Sequence, residues 1–230
     1  QGILQGIGQG VFGAISSSFQ AATQGVQTFL ASTLEVGQAA RSAEDAFTTF
    51  LGSSEEAQAT LQELSDFAAQ TPFDLPGVRN AGQQLLAFGF QTDELTDQLS
   101  RVGNIAAGVQ TDFNELAAIY GKARTQGRLF AEDINQLTER GIPIIGELAA
   151  QFGVTESEVR GLVESGQVGF EALEQAFISL TSEGGKFFNL LQTQSGTVVG
   201  QISNLGDSFV QLQEQIFRAF EPAIAEGLQL

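Results

Sequence analysis

The sequence contains no cysteine, histidine, tryptophan or methionine, and it has a single tyrosine. Without cysteine, the fold cannot depend on disulfides or on a zinc site built from thiolates. Without histidine, the Ser-His-Asp and Cys-His nucleophile pairs and the usual ligands of zinc and non-haem iron are excluded. Only carboxylates, hydroxyls, lysine and arginine remain for chemistry. We therefore expect no cofactor and no metal site.

Basic residues are also scarce. The chain has 10 lysine and arginine residues against 27 acidic residues, which gives a net charge of -17. A long phosphate backbone would be repelled by such a chain, so we expect no specific binding of nucleic acid. The densest basic run contains Lys122, Arg124 and Arg128. We interpret it as a solvated face that pairs with nearby acids rather than as a phosphate site.

The pattern that the sequence does have is helical. Apolar residues recur at steps of three and four, and no segment sustains a period of two, so we predict an all-α fold. One short extended piece is expected at Thr71 to Leu75 or at Gln167 to Phe170. Polar residues before apolar stripes predict helix N-caps, and glycines after them predict helix ends. The predicted N-caps are Ser53, Thr92, Thr111 and Thr155, the last in a capping box with Glu158, and the predicted ends include Gly103, Gly121 and Gly166.

A corner between two helices is predicted in the stretch "RLFAEDINQLTERGIPIIGELAAQFGV". Gly141 can take the left-handed conformation that ends a helix, and Pro143 suits the first turn of the next one. The apolar residues on each side should share a face, so the two helices can cover each other. These residues are Phe130, Ile134 and Leu137 before the corner, and Ile144, Ile145, Leu148 and Phe152 after it. A second break is predicted at Gly184 and Gly185, after the stripe Phe170, Leu173, Phe177 and Leu180.

Residues 1–34 form an uncharged flank that is rich in glycine and glutamine. Its apolar residues recur at helical spacing: Leu4, Ile7, Val11, Ile15, Phe19, Ala22, Val26 and Phe29. The glycines make a lone helix unstable, so the segment needs a partner. Its polar content is too high for a single membrane span. We favour a helix in a water-soluble bundle, with membrane insertion of an oligomer as the alternative.

Residues 198–230 form a second flank with a similar texture. Its stripe contains Val198, Ile202, Leu205, Phe209, Leu212, Ile216, Phe220, Ile224 and Leu228. We predict a long coiled-coil-like helix that bends at Pro222. The stripes of the two flanks, without Ala22, Phe220, Ile224 and Leu228, form the seam through which we expect copies of the chain to associate. The predicted organisation is thus a compact helical domain at 35–197 between flanks at 1–34 and 198–230. The chain starts at Gln1 rather than methionine, and we expect it to be a piece of a longer protein.

Five stretches of the sequence, in their order along the chain, resemble those of a known family. They are "LLAFGF", "AIYGKARTQGRLFAEDINQLTERGIPIIGELAAQFGV", "VRGLVESGQVGFEALEQAF", "TSEGGKFFNLL" and "QSGTVVGQISNLGDS". Together they closely resemble the tape-measure domain of phage tail tape measure proteins, over about residues 35 to 210. Several blocks in the right order are more specific than any single short motif.

The resemblance implies a structural and non-enzymatic role. Proteins of this family lie along the lumen of a growing tail tube, set its length, and leave ahead of the DNA at infection. The implied partners are copies of the chain itself, as a trimer or hexamer, and tail tube, distal tail or baseplate hub proteins, with host membrane contact after ejection. The implied locations are the tail lumen or baseplate of the virion, the host cytoplasm during assembly, and the host envelope on ejection.

Two other function classes fit parts of the pattern. A helical scaffold or interaction module of a related contractile injection or secretion machine would show the same caps, corners and stripes. An enzyme of the glycosidase kind could use carboxylate pairs such as Glu55 and Glu56, Glu132 and Asp133, or Glu156 and Glu158. Most of these acids lie in predicted first turns, where they stabilise the helix dipole, so we expect no enzyme activity.

Overall fold

The computed structural model describes residues 28–29, 31–196 and 198–227, and it describes the side chains of these residues except at 198–204 and 222–227. The described part of the chain is α-helical and contains no β-strand. The fold is therefore all-α, as predicted. Its helices are α1 (31–51), α2 (Ser54–Gln70), α3 (Leu75–Ala87), α4 (Thr92–Val109), α5 (Phe113–Gln126), α6 (Ala131–Glu139), α7 (Ile144–Phe152), α8 (Glu156–Glu164), α9 (Phe170–Thr181), α10 (Leu190–Ser195) and α11 (Val198–Gly227).

The chain divides into two compact units. The larger unit contains residues 43–208, with a core built mainly from α2, α3, α4, α5, α7 and α9. The smaller unit contains the described residues up to 42 together with those from 209 onward. The predicted boundaries after residues 34 and 197 differ from these limits and stay predictions.

Most helices in the larger unit begin at a polar cap. The Ser53 hydroxyl accepts a hydrogen bond from the Glu56 backbone N–H at 3.2 Å, and Glu158 closes the predicted capping box by accepting from the Thr155 backbone N–H at 2.8 Å. The other two predicted caps are wrong by one residue, since α4 is capped by Gln91 and α5 by Asp112. In both cases an acid decides the position, because an ionised carboxylate is a stronger acceptor than a hydroxyl.

The prediction that Gly103 and Gly121 end helices is wrong. Gly103 lies inside α4 and Gly121 inside α5. A Cβ placed on Gly103 would come within 2.9 Å of the Phe73 ring, and a Cβ on Gly121 would overlap the Phe88 ring. These two glycines therefore allow an aromatic ring to lie directly on a helix backbone.

The predicted corner is present. Gly141 has φ +81° between α6 and α7, and Pro143 is the residue immediately before the first turn of α7. Four of the apolar residues predicted to share the corner are buried, namely Ile134, Leu137, Ile144 and Leu148. Ile145 is half-buried, whereas Phe130 and Phe152 are exposed. Phe130 precedes α6 and Phe152 is the last residue of α7, so both lie beyond the packed part of the pair.

The second predicted break is also present. Helix α9 ends at Thr181, and Gly184 has φ +85°. A Cβ on Gly185 would overlap the backbone carbonyl groups of Ser179 and Leu180, so this position requires glycine.

The extended piece predicted at Gln167 to Phe170 takes the form of one isolated antiparallel bridge between Arg128 and Gly169. The Leu129 N–H donates to the Val168 carbonyl at 2.9 Å beside it. Helix α11 continues through Pro222 to Gly227. Among the described residues, no helix combines the length and the apolar content that crossing a bilayer requires.

Candidate functional site

An aromatic cluster forms the centre of the larger unit. The Tyr120 ring on α5 is fully buried and stacks on Phe177 of α9, with ring centroids 4.7 Å apart. Phe90 and Phe170 complete the cluster at 5.6 and 5.2 Å from the tyrosine ring. Pairs of buried rings at these distances each stabilise a fold by about 0.5–1.5 kcal/mol beyond the burial of their area. The cluster therefore joins α5 and α9 to the segment before α4.

A chain of polar groups leads from this cluster towards the surface. The Tyr120 hydroxyl donates to Gln98 Oε1 at 2.7 Å, and Gln98 Nε2 donates to Glu174 Oε1 at 2.7 Å. Arg101 lies 3.8 Å from the same carboxylate. Burial, with the negative charge of Glu174 as the next cause, raises the pKa of Tyr120 far above its usual range. The tyrosine therefore keeps its proton and acts as a structural donor.

Two of the three cations in the basic run, Lys122 and Arg124, pair with nearby acids, as predicted. Lys122 Nζ lies 3.7 Å from Asp133 Oδ1, and Arg124 forms an ion pair with Glu94 at 2.8 Å. The Arg124 guanidinium also lies 4.0 Å from the centre of the Phe90 ring. Arg128 lies over the ring of Phe130 at 4.6 Å. The three cations point to different partners, so they do not converge on one anion-binding position.

Two of the acids that an enzyme could use, Asp133 and Glu158, cap helices instead. Glu158 caps Thr155, and these hydrogen bonds lower the pKa of the Glu158 carboxyl. Asp133 is buried and accepts from the Phe130 backbone N–H at 2.9 Å. Glu56 accepts from the Thr92 hydroxyl at 3.1 Å. Among the residues that the structure describes, no group of three or more acids is placed to hold a metal ion.

An open polar groove of about 530 Å³ lies between α2, α4 and α10. Its lining is mainly uncharged and polar, with Asp97 as its acid, and includes Thr71, Thr96, Ser100, Asn189, Gln192 and Ser195. Sequence reasoning missed this groove, because its walls come from helices that are far apart along the chain.

The two flanks meet in the smaller unit, where the described start of the N-terminal flank and its continuation into α1 run parallel to α11. Phe29 contacts Phe209 with ring centroids 6.1 Å apart, and Gln213 Nε2 donates to the Ser32 hydroxyl at 2.7 Å. One helical turn further on, the Phe217 ring lies on the backbone of Gly37, and Arg41 forms an ion pair with Glu221. Each partner on α11 is about 180 residues after its partner on the first flank, which fixes the register of this pair.

The described residues of the predicted seam differ in their surroundings. Phe29 and Phe209 contact each other within one chain. On α11, Phe209 and Leu212 are each 50% exposed and Phe220 is 61% exposed, while Leu205 is also exposed and Ile216 is half-buried. The seam residues Leu4, Ile7, Val11, Ile15, Phe19 and Val26, and the side chains of Val198 and Ile202, lie outside the described part. The face of α11 that carries Gln213 and Phe217 was missed, because a buried glutamine interrupts its apolar pattern.

The comparisons with known proteins agree with the resemblance read from the sequence. A stretch of 166 residues is 25% identical to the Mu-like prophage FluMu protein gp42 of Haemophilus influenzae, covering 69% of this chain and 25% of that protein. The chain thus spans about a quarter of the length of this curated relative. No solved structure gives a significant match. Residues 12–217 match the tape measure protein family, and since this is more than half of the chain, the chain belongs to that family of phage tail structural proteins.

Proposed function

We propose that this chain is the part of a tail tape measure protein that occupies the lumen of the tail tube, helps to set tail length during assembly, and leaves ahead of the DNA at infection. The observation that supports the proposal most strongly is the match of residues 12–217 to the tape measure protein family. The helical content of the described residues fits this role, because a ruler needs a chain whose length follows from its residue count.

The physical basis of the ruler is the constant rise of an α-helix. Each residue advances a helix by about 1.5 Å, so the 30 residues of α11 correspond to roughly 45 Å. A helix therefore converts the number of residues into length almost linearly. We propose that α11 contributes to the rod-like part of the protein and that the larger unit is a folded node of the same chain.

The charge of the chain suits a protein that shares a channel with DNA. With a net charge of -17, it would repel the phosphate backbone and would not hold the DNA that follows it. We propose that the protein is located in the tail lumen or at the baseplate of the virion, and in the host cytoplasm during assembly.

The proposed partners are further copies of the chain, in a trimer or hexamer, and proteins of the tube, distal tail or baseplate hub. The support comes from the exposed side chains of Phe209, Leu212 and Phe220, which lie at steps of three and eight on α11 and so share one side of that helix. Exposed apolar stripes of this kind are covered by other chains in soluble assemblies. Contact of residues 1–34 with the host envelope after ejection is also a proposal.

The test is the tail length of phage particles whose gene carries a tandem duplication of residues 198–227. We expect the tails to lengthen by about 45 Å per added copy, measured as a mean over many particles by electron microscopy. A control that replaces the segment with an unrelated helical segment of equal length should keep the original tail length. Tails of unchanged length after duplication would contradict the ruler. Recovery of the chain in a particle without a genome would favour an injection or secretion machine.

A further inference from the structure

Within the larger unit, a buried carboxyl group on α11 contacts the N-terminal end of α3. Asp207 is 4% exposed, and its Oδ1 accepts a hydrogen bond from the Leu75 backbone N–H at 3.1 Å. Leu75 is the first residue of α3. The first N–H groups of a helix have no partner within that helix, so the hydrogen bond to Asp207 is the one that satisfies this donor.

The second oxygen of this carboxyl group has no comparable partner. Asp207 Oδ2 is buried and has no hydrogen bond among the residues that the structure describes. A buried ionised carboxylate with one unpaired oxygen is unfavourable, because it loses its water without a full replacement. The protonated group carries no charge, so it loses much less when it is buried.

The surrounding charges do not reverse the preference of Asp207 for its protonated form. Asp74, at the same end of α3, repels a negative charge on Asp207, whereas Arg79 attracts one. Along α11, the nearest charged side chain after Asp207 is Glu214, about two turns away. Burial is the largest influence, and the pKa of Asp207 is raised above its usual range in spite of the hydrogen bond from Leu75.

We propose that Asp207 is a proton-sensitive latch, whose carboxyl group holds the start of α11 against the N-terminal end of α3 when it is protonated and weakens this contact when it ionises. The contact is at full strength below the ordinary aspartate pKa of about 4 and loses strength as the pH rises through the raised value. The contact is therefore weaker at high pH than in acid. The latch is a property of the fold and does not depend on the proposed role in setting tail length.

A chain with such a latch can release one helix without unfolding its core. Among the described side chains, the contact includes the hydrogen bond from Leu75 at the N-terminal end of α3, while the aromatic cluster around Tyr120 does not include α11. Loss of the contact frees the first turns of α11 from α3 and leaves the packing of α5 on α9 unchanged. Acidic conditions should close the latch, and neutral or alkaline conditions should loosen it.

The test compares the wild-type chain with Asp207→Asn by amide hydrogen exchange at Leu75, at about pH 7 and at about pH 4. Asparagine keeps the shape and the acceptor oxygen but carries no charge. We expect the protection of the Leu75 amide to be several-fold greater in the variant at the higher pH and equal to that of the wild type at the lower pH. Asp207→Ala removes the acceptor and should reduce the protection at both pH values.

Two controls separate the latch from a general effect of charge. The Gly77 amide donates to Asp74 at 2.7 Å in the same helix end, so its protection should not change in either variant. Asp93→Asn changes the net charge equally at an exposed acid in the first turn of α4 and should leave Leu75 unaffected. Equal protection of wild type and Asp207→Asn at both pH values would overturn the proposal. A difference of the same size at both pH values would also overturn it, because a purely structural contact has no reason to depend on pH.

Discussion

Tyr120 can be followed alone in the spectrum, because it is the single tyrosine and the chain has no tryptophan. Burial raises its pKa far above the ordinary value of about 10. We expect the ultraviolet absorbance of tyrosinate to be absent when the folded chain is titrated above about pH 10, and to appear at the ordinary pKa in urea. Titration of the folded chain at the ordinary pKa would mean that the tyrosine is not in the aromatic cluster.

The raised pKa of Tyr120 also makes the stability of the fold depend on pH. Between the ordinary pKa and the raised one, the folded chain keeps the tyrosine proton and the unfolded chain releases it. The free energy of unfolding should therefore fall as the pH rises above about 10. Tyr120→Phe removes this contribution, but it also leaves the buried Gln98 oxygen without its donor, which costs about 1–3 kcal/mol near neutral pH.

Two glycines give opposite predictions for the same substitution. Gly121→Ala places a methyl group against the Phe88 ring, and we expect the free energy of unfolding to fall by about 1–3 kcal/mol. Gly161 lies in the middle of α8 with open space around it, so Gly161→Ala should raise the free energy of unfolding by about 0.5–1 kcal/mol. Urea denaturation followed by circular dichroism measures both. A stabilising Gly121→Ala would show that Phe88 does not pack on α5.

At the scale of the helices, the sequence predicted well what depends on neighbouring residues. The capping box of Thr155 and Glu158 and the left-handed Gly141 were found, because a cap or a helix end is built from residues a few positions apart. The roles of Gly103 and Gly121 were not found. Both positions require glycine because the rings of Phe73 and Phe88 lie on the helix backbone there. These rings come 30 or more residues earlier in the chain, and periodicity carries no information about such contacts.

The two contact surfaces of α11 also differ in how far the sequence predicts them. The apolar stripe on α11 is visible in the sequence, and the structure leaves Leu212 and Phe220 exposed there. The contact of α11 with α1 could not be predicted from the sequence, because it depends on the buried Gln213 and on Gly37, which lies beneath the Phe217 ring. Whether the stripe joins copies of the chain remains a prediction with its own test.

That test compares two substitutions on α11. Leu212→Asp places a charge in the exposed stripe, and we expect it to weaken self-association by at least about tenfold, because it removes apolar contact and adds repulsion between copies. Gln215→Asp adds the same charge at an exposed position about 120° away from Phe209 around the helix, at the edge of the stripe, and it should weaken association less than Leu212→Asp does. Sedimentation over a range of concentrations measures both. Equal association of the two variants and the wild type would exclude Leu212 from the interface.

At the scale of the whole molecule, the chain is an acidic member of a structural family, and its described residues are mainly helical. The family match covers residues 12–217, and the chain covers a quarter of its curated relative. The larger unit is held by its own aromatic core, and α11 carries an exposed stripe that suits further contacts.

The most direct measurement is an electron cryomicroscopy comparison of phage tails before and after DNA release. We predict helical density along the lumen of the mature tail and its absence after release. Mass spectrometry should detect the chain in the mature tails and not in the emptied ones. An empty lumen in mature tails, or a chain that stays in place after the DNA has left, would contradict the account.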